Sequence, residues 1–299
     1  MSQTFLDLLR ARSRSICEKG TKLISEFSRL LPVNRPGDPI VFVSSKGDHH
    51  WVELPSEGKR IQADLLQEIV RFAELVMAIS QSLPCGVREH LDELLNTMRN
   101  AVEQEGRTWW KTREDAIGGF RSLGEKFIST LANYSEDHSD EVLAITDTNA
   151  LIQNPDIEHW HFDNAEQITI ILTPVVLSEL DTLKIIHKNE HVREKAQSMI
   201  RRIKEYRRRG PLYEGVVIVK DKITLRRIPN EPVMTQSLPW LNPNNADDRL
   251  LATTIEVIRT NFDRKVLIVT SDINLQNKAE MAGVPFCEAP PSKIRQEGQ

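Results

Sequence analysis

The chain has 299 residues, of which 39% are hydrophobic and 27% charged, and its formal net charge at pH 7 is -4. That length gives room for two domains of about 100–200 residues each, and the slight negative charge excludes a global attraction to nucleic acid or membrane, so any such attraction is local. Cys17, Cys85 and Cys287 are too few and too scattered for a disulfide framework, and no stretch approaches the ~20 apolar residues that cross a bilayer, so a cytoplasmic protein in a reducing compartment is expected.

Asp7 and Arg10 interrupt the short apolar run at the start of the sequence, which does not fit a signal peptide. Phe5, Leu9, Ile16, Leu23, Phe27 and Leu30 recur near helical spacing and predict an amphipathic helix over 4–30, ended by Pro32. Residues 39–43 and 50–54 read as a hairpin with 44–48 as its loop. A second helix is predicted over 60–82, with Ile61, Leu65, Ile69, Phe72, Val76 and Ile79 on one face. Pro84 breaks it and opens a third, striped by Val87, Leu91, Leu94, Leu95, Met98 and Val102; a fourth covers about 111–132. Residues 1–135 are therefore expected to be a mainly helical domain without a catalytic motif, leaving room for self-association or a regulatory protein partner. Trp109 and Trp110 are base-stacking types, but helical core or a domain interface is the heavier reading.

Residues 136–140 lie in a polar, acidic linker, after which the texture becomes alternating strand and helix. Strands are predicted at 141–146, 168–172, 216–219, 265–269 and 284–287. Helices are predicted from Pro174, over 190–209, over 246–259 and from Asp272 to Gly283. Thr173-Pro174 is a favoured helix start, a capping hydroxyl before a first-turn proline, and Gly210-Pro211 a standard stop. Residues 220–243, with four prolines, read as an irregular excursion. The expectation is an α/β domain over 141–290, a parallel sheet with helices on both faces, and a flexible tail over 291–299.

The apolar run Val142–Ile145 leads to Asp147, Thr148 and Asn149. A carboxylate at the carboxyl end of a buried strand is where open α/β sheets place their chemistry. Glu179, Asp247-Asp248 and Asp272 repeat the arrangement of apolar segment, acid and helix. Each has an ordinary reading alone: a turn residue at Asp147, a solvated Glu179, helix-dipole acids at Asp247 and Asp248, an N-cap at Asp272. Together they read differently. Two carboxylates ~4 Å apart repel by roughly 4 kcal/mol at an effective dielectric near 20, so a gathered set predicts a compensating cation and a raised pKa in at least one member. Oxygen-only ligation favours Mg²⁺ or Mn²⁺. Asp181 is set aside, and His159-Trp-His161 has ligand types without a partner set.

Along 190–209, Val192, Ala196, Met199, Ile203 and Tyr206 form an apolar stripe. Arg193, Arg201, Lys204 and Arg208 lie beside it, with Lys195, Arg202, Arg207 and Arg209 nearby. The weight falls on a nucleic-acid backbone surface over a merely solvated face.

Asp147-Thr-Asn149, Pro174-Val-Val-Leu-Ser-Glu179-Leu, Asn245-Ala-Asp247-Asp248-Arg-Leu-Leu-Ala and Thr270-Ser-Asp272-Ile-Asn-Leu resemble, in order, the four acidic motifs of PIN-domain nucleases. The resemblance covers residues 141 to about 288. It is most similar to the larger PIN domains of the RNA-surveillance endonuclease type, in which a long basic helix follows the second acid. It implies a PIN-like, Rossmann-like fold and a metal-dependent endoribonuclease acting on single-stranded RNA. Asp147, Glu179, Asp248 and Asp272 would be catalytic. Asp147, Glu179, an acid of the Asp247-Asp248 pair, and Asp272 would hold Mg²⁺ or Mn²⁺, with Asn149 and Thr270 as polar supports. A structure-selective DNA nuclease and a non-catalytic nucleic-acid-binding module are the alternatives.

Overall fold

The computed structural model describes residues 4–33, 49–134, 141–162 and 165–291. The chain divides into two compact units, one of residues 6–135 and one of residues 136–299 together with 1–5. Among the described residues no helix is long and apolar enough to cross a membrane.

The first unit is helical. Its elements in chain order are α1 (Phe5–Phe27), β1 (Leu30–Pro32), β2 (His49–Trp51), α2 (Ser56–Ile79), α3 (Cys85–Glu103), β3 (Arg107–Thr108) and α4 (Arg113–Ala132). The stripes that predict the helices supply the core: Leu65, Ile69, Phe72, Val76 and Ile79 of α2, and Leu91, Leu94, Leu95, Met98 and Val102 of α3, are buried. α1 and α4 meet through glycine. A Cβ on Gly20 would fall 2.1 Å from a Phe120 ring carbon, and one on Gly124 would fall 2.3 Å from Cys17 Sγ. α4 begins two residues later than predicted because Thr112 is its N-cap, forming a capping box with Asp115.

The predicted hairpin differs from the observed ribbon. Residues 39–48 lie outside the described residues, as do 136–140 and 292–299. The described ribbon is antiparallel in the order β1-β2-β3, so the segment near 50 pairs with 30–32 and 107–108. Trp51 and Trp110 meet edge to face at 6.1 Å, and Trp110 also lies against Gly119. Trp110 is therefore a packing residue, whereas Trp109 is exposed.

The second unit is α/β. Its elements are β4 (Glu141–Thr146), α5 (Thr148–Gln153), β5 (Gln167–Leu172), α6 (Pro174–Ile186), α7 (Glu190–Arg207), β6 (Val216–Val219), β7 (Ile223–Arg227), α8 (Ala246–Arg259), β8 (Lys265–Val269), α9 (Ile273–Ala282) and β9 (Phe286–Cys287). The sheet order is β6-β7-β5-β4-β8-β9, parallel except for the β6–β7 pair. β4 and β5 are buried from their second residue onward, as central strands covered on both faces are.

One prediction fails here. Residues 223–227 are not irregular: β7 lies between β5 and β6, parallel to β5. Its alternation is Ile223 and Leu225 inward with Thr224 and Arg226 between, a half-buried pattern that the prolines beyond Arg227 obscure. The edge strand β6 is therefore an antiparallel hairpin partner, turning through Asp221 at φ 56°. Ile145 pairs with Ile171 on one side and Ile268 on the other, so β4, β5 and β8 present their carboxyl ends at one edge. That edge positions the site.

Candidate active site

Asp147 is the first residue beyond β4. Its N–H donates to Val269 O at 3.1 Å, tying it to the end of β8. The side chain caps α5, with Oδ1 accepting from Ala150 N at 2.6 Å. Oδ2 accepts from the Thr270 hydroxyl, and Thr270 Oγ1 in turn accepts from Asp272 N at 3.0 Å. Asp272 caps α9 through Asn274 N at 2.8 Å. On the other side, Thr148 Oγ1 donates to Glu179 Oε2 at 2.6 Å. Two threonine hydroxyls therefore link three acids from three separate segments: Thr270 joins Asp147 to Asp272, and Thr148 beside Asp147 holds Glu179.

Asp147 is only 7% exposed. Burial pushes its carboxyl up to about 6; the hydrogen bonds from Thr270 and Ala150 oppose that, and the charges of Asp272 and Glu179 add to it. The leading cause is loss of water, with acid–acid repulsion the smaller part.

The Asp247-Asp248 pair has a different environment. Asn245 caps α8, accepting from Asp248 N at 3.1 Å. Asp248 is 6% exposed, and its Oδ2 accepts from Asn242 N at 2.9 Å. Lys278 Nζ, on α9, lies 2.7 Å from Asp248 Oδ1 and 3.4 Å from Asp247 Oδ2. The Asp248 contact is the shorter of the two. Burial works against the Lys278 charge, but Asp248 and Asp247 outweigh it and hold the ammonium above the usual lysine range. A protein cation thus serves this pair. Among the described residues no three His, Cys, Asp or Glu side chains stand close enough to enclose a metal ion. Asp147, Glu179 and Asp272 form one electrostatic group, and Asp247, Asp248 and Lys278 another.

Of the two residues expected as polar supports, Thr270 hydrogen-bonds both Asp147 and the Asp272 backbone N–H, whereas Asn149 is exposed on α5 and outside the threonine links. Lys278 and Thr148 are the residues that sequence reasoning missed. Thr148, a hydroxyl beside a strand-end acid, has no ligand signal of its own in the sequence. Lys278 lies six residues after the Asp272 cap, and only the packing of α9 near α8 reveals its role. Asp181 pairs with Lys184. His159 and His161 are exposed, while Trp160 is buried with its indole N–H donating to Asn154 O.

α7 sorts its cations. Arg193 is half-buried and donates to His187 O at 2.6 Å, so it fastens the α6–α7 junction. Arg202 meets Asp156 at 3.0 Å and Glu158 at 3.2 Å. Arg201, Lys204 and Arg208 are exposed on one side of the helix.

Residues 144–289 match the family model described as PIN domain. This region is a PIN domain. The matched span opens inside β4, closes just past β9, and contains every acid discussed above. No curated protein matches the chain. PIN domains have a nuclease-type fold, and members are typically metal-dependent nucleases of RNA or DNA. The donor chemistry at Asp147 suits such a cation in kind, with oxygen donors only and a buried acid that is costly to ionise without a positive charge beside it, although Asp147, Glu179 and Asp272 do not close round an ion in this structure.

Proposed function

We propose that the PIN domain is a metal-dependent endoribonuclease, in which Asp147, Glu179 and Asp272 hold Mg²⁺ or Mn²⁺ and Asp248 is the fourth acid. The observation that carries this reading is a nearly buried Asp147 at the carboxyl edge of the sheet, its charge opposed by Asp272 and Glu179. When bound, the divalent cation supplies neutralisation of phosphate charge and a water acidified toward neutral pH. The chain's own residues do the positioning. Ala150 N–H and Thr270 fix both Asp147 oxygens, and Thr148 aims Glu179. Lys278 sets a cation against Asp247 and Asp248. Asp248 is the better candidate of that pair because it is the buried one. Arg201, Lys204 and Arg208 supply a sequence-independent hold on backbone phosphates, which a single strand of RNA would occupy; a cytoplasmic setting belongs to the same reading.

Phosphate contacts do not tell RNA from DNA, since the 2′-hydroxyl makes that distinction. A DNA nuclease is therefore the second reading. Matched single-stranded RNA and DNA oligonucleotides incubated with Mn²⁺ separate the two. Preferential RNA cleavage is expected; preferential DNA cleavage would overturn the substrate assignment.

A further inference from the structure

α6, α7 and the end of β7 enclose a groove of about 450 Å³, within the range of small-ligand sites. Its walls are apolar, from Leu177 of α6, Ile200 and Ile203 of α7, and Leu212. Lys204, Arg207 and Arg227, all exposed, rim it, and the Tyr213 side chain on its wall is 63% exposed. The single acid among the lining residues, Asp181, is already paired with Lys184.

We infer that this groove is a subsite for a nucleotide flanking the scissile phosphate of a single strand. The inference rests on the nuclease reading above and deepens it. The apolar wall and Tyr213 take an unpaired base by stacking, which needs a π-face and no particular sequence. Lys204, Arg207 and Arg227 take the adjoining phosphates. Charge identifies the occupant, because an excess of cations around an apolar slot matches a base carried on a polyanion.

Position supports it independently. Leu172 pairs with Arg227 and Ile145 pairs with Ile171, so Arg227 leaves the sheet at the edge where Asp147 stands. β7 is two strands from β4, about 10 Å at ordinary strand spacing. Leu177 and Asp181 lie two residues before and after Glu179, so the groove and Glu179 occupy opposite sides of α6. One strand crossing the start of α6 would reach both.

The test is binding of fluorescein-labelled single-stranded RNA, single-stranded DNA and a blunt duplex, followed by anisotropy in EDTA. Tyr213→Ala is expected to weaken single-strand binding roughly 5- to 150-fold while leaving duplex binding unchanged. Tyr213→Phe, which keeps the ring, should restore it. Replacing Lys204, Arg207 and Arg227 by glutamine should flatten the salt slope by about 0.7 log units per lost contact. Single-strand binding by Tyr213→Ala within about twofold of wild type, or an unchanged slope in the triple variant, overturns the subsite. Groove-dependent binding without Mn²⁺-dependent cleavage would remove the nuclease reading and leave the groove standing. Cleavage with groove variants indistinguishable from wild type would do the reverse. Failure of wild type to bind any of the three probes overturns the subsite, and the cleavage assay then decides the nuclease reading by itself.

Discussion

Asp147 couples the site to stability. Its carboxyl sits at about 6, above the ~3.9 of an unfolded aspartate. An acid with a raised folded pKa makes the folded state bind more protons than the unfolded one between those values. Stability without metal should therefore fall as pH rises from about 4 through about 6, and stay reduced above that. An asparagine at 147 retains an oxygen for Ala150 N–H and an amide for Thr270. Asp147→Asn should thus be more stable than wild type by on the order of 1–3 kcal/mol at pH 8 in EDTA, and equal to it near pH 4. Urea unfolding at the two pH values measures this; a less stable variant at pH 8 would contradict it. Lys278 makes the opposite case. Lys278→Met leaves Asp248 buried without its counter-charge, and should cost about 1–2 kcal/mol, less than for a fully buried pair because Lys278 is partly exposed. A double-mutant cycle with Asp248→Asn reads the coupling, and additive losses would reject it. Asp147 and Asp272 were legible in the sequence because each stands where an apolar strand gives way to a helix, and Asp247-Asp248 because they open α8, whereas Glu179 lies more than one turn inside α6. Lys278 was not, because its role depends on two helices meeting. Nor was the cause of the raised pKa: repulsion was expected, and burial leads.

Elements with strong caps were legible nearly to the residue. α8 runs over Ala246–Arg259 as predicted, started by Asn245, and α9 stops at Gly283 in the left-handed conformation at φ 71°. β7 was missed because five alternating residues before a proline-rich stretch carry little local signal, and its parallel pairing with β5 is long-range. The basic helix α7 shows why a charge pattern overstates a surface: Arg193 and Arg202 are held by the protein itself, which leaves Arg201, Lys204 and Arg208 on one side and Arg207 at the groove. Replacing these three by glutamine should flatten the salt dependence of single-strand binding by up to about 2 log units in slope. Anisotropy across a salt series checks it, and an unchanged slope returns the helix to a solvated face. In the helical unit, Gly124→Ala should cost about 1–3 kcal/mol because its methyl would overlap Cys17 Sγ. Wild-type stability in urea would show that α1 and α4 can part.

For the whole molecule, a net charge of -4 excludes a global field for nucleic acid, so the distribution of charge matters more than its sum. Acids gather at one edge of the sheet, while cations line α7 and the groove beside it. Metal should register in the stability of the protein. Saturation at about 100 times Kd would add roughly 2.7 kcal/mol, with a smaller gain in Asp272→Asn, whose asparagine can still cap α9. Thermal unfolding with EDTA and with Mn²⁺ measures both, and equal shifts would reduce Asp272 to a cap. The central claim, that Asp147 anchors a metal-dependent nuclease centre, is tested most directly by cleavage of single-stranded RNA with Mn²⁺ or EDTA, comparing wild type with Asp147→Asn. The account predicts cleavage by wild type with Mn²⁺ alone, and none by a folded Asp147→Asn protein. Undiminished Mn²⁺-dependent cleavage by Asp147→Asn would contradict it.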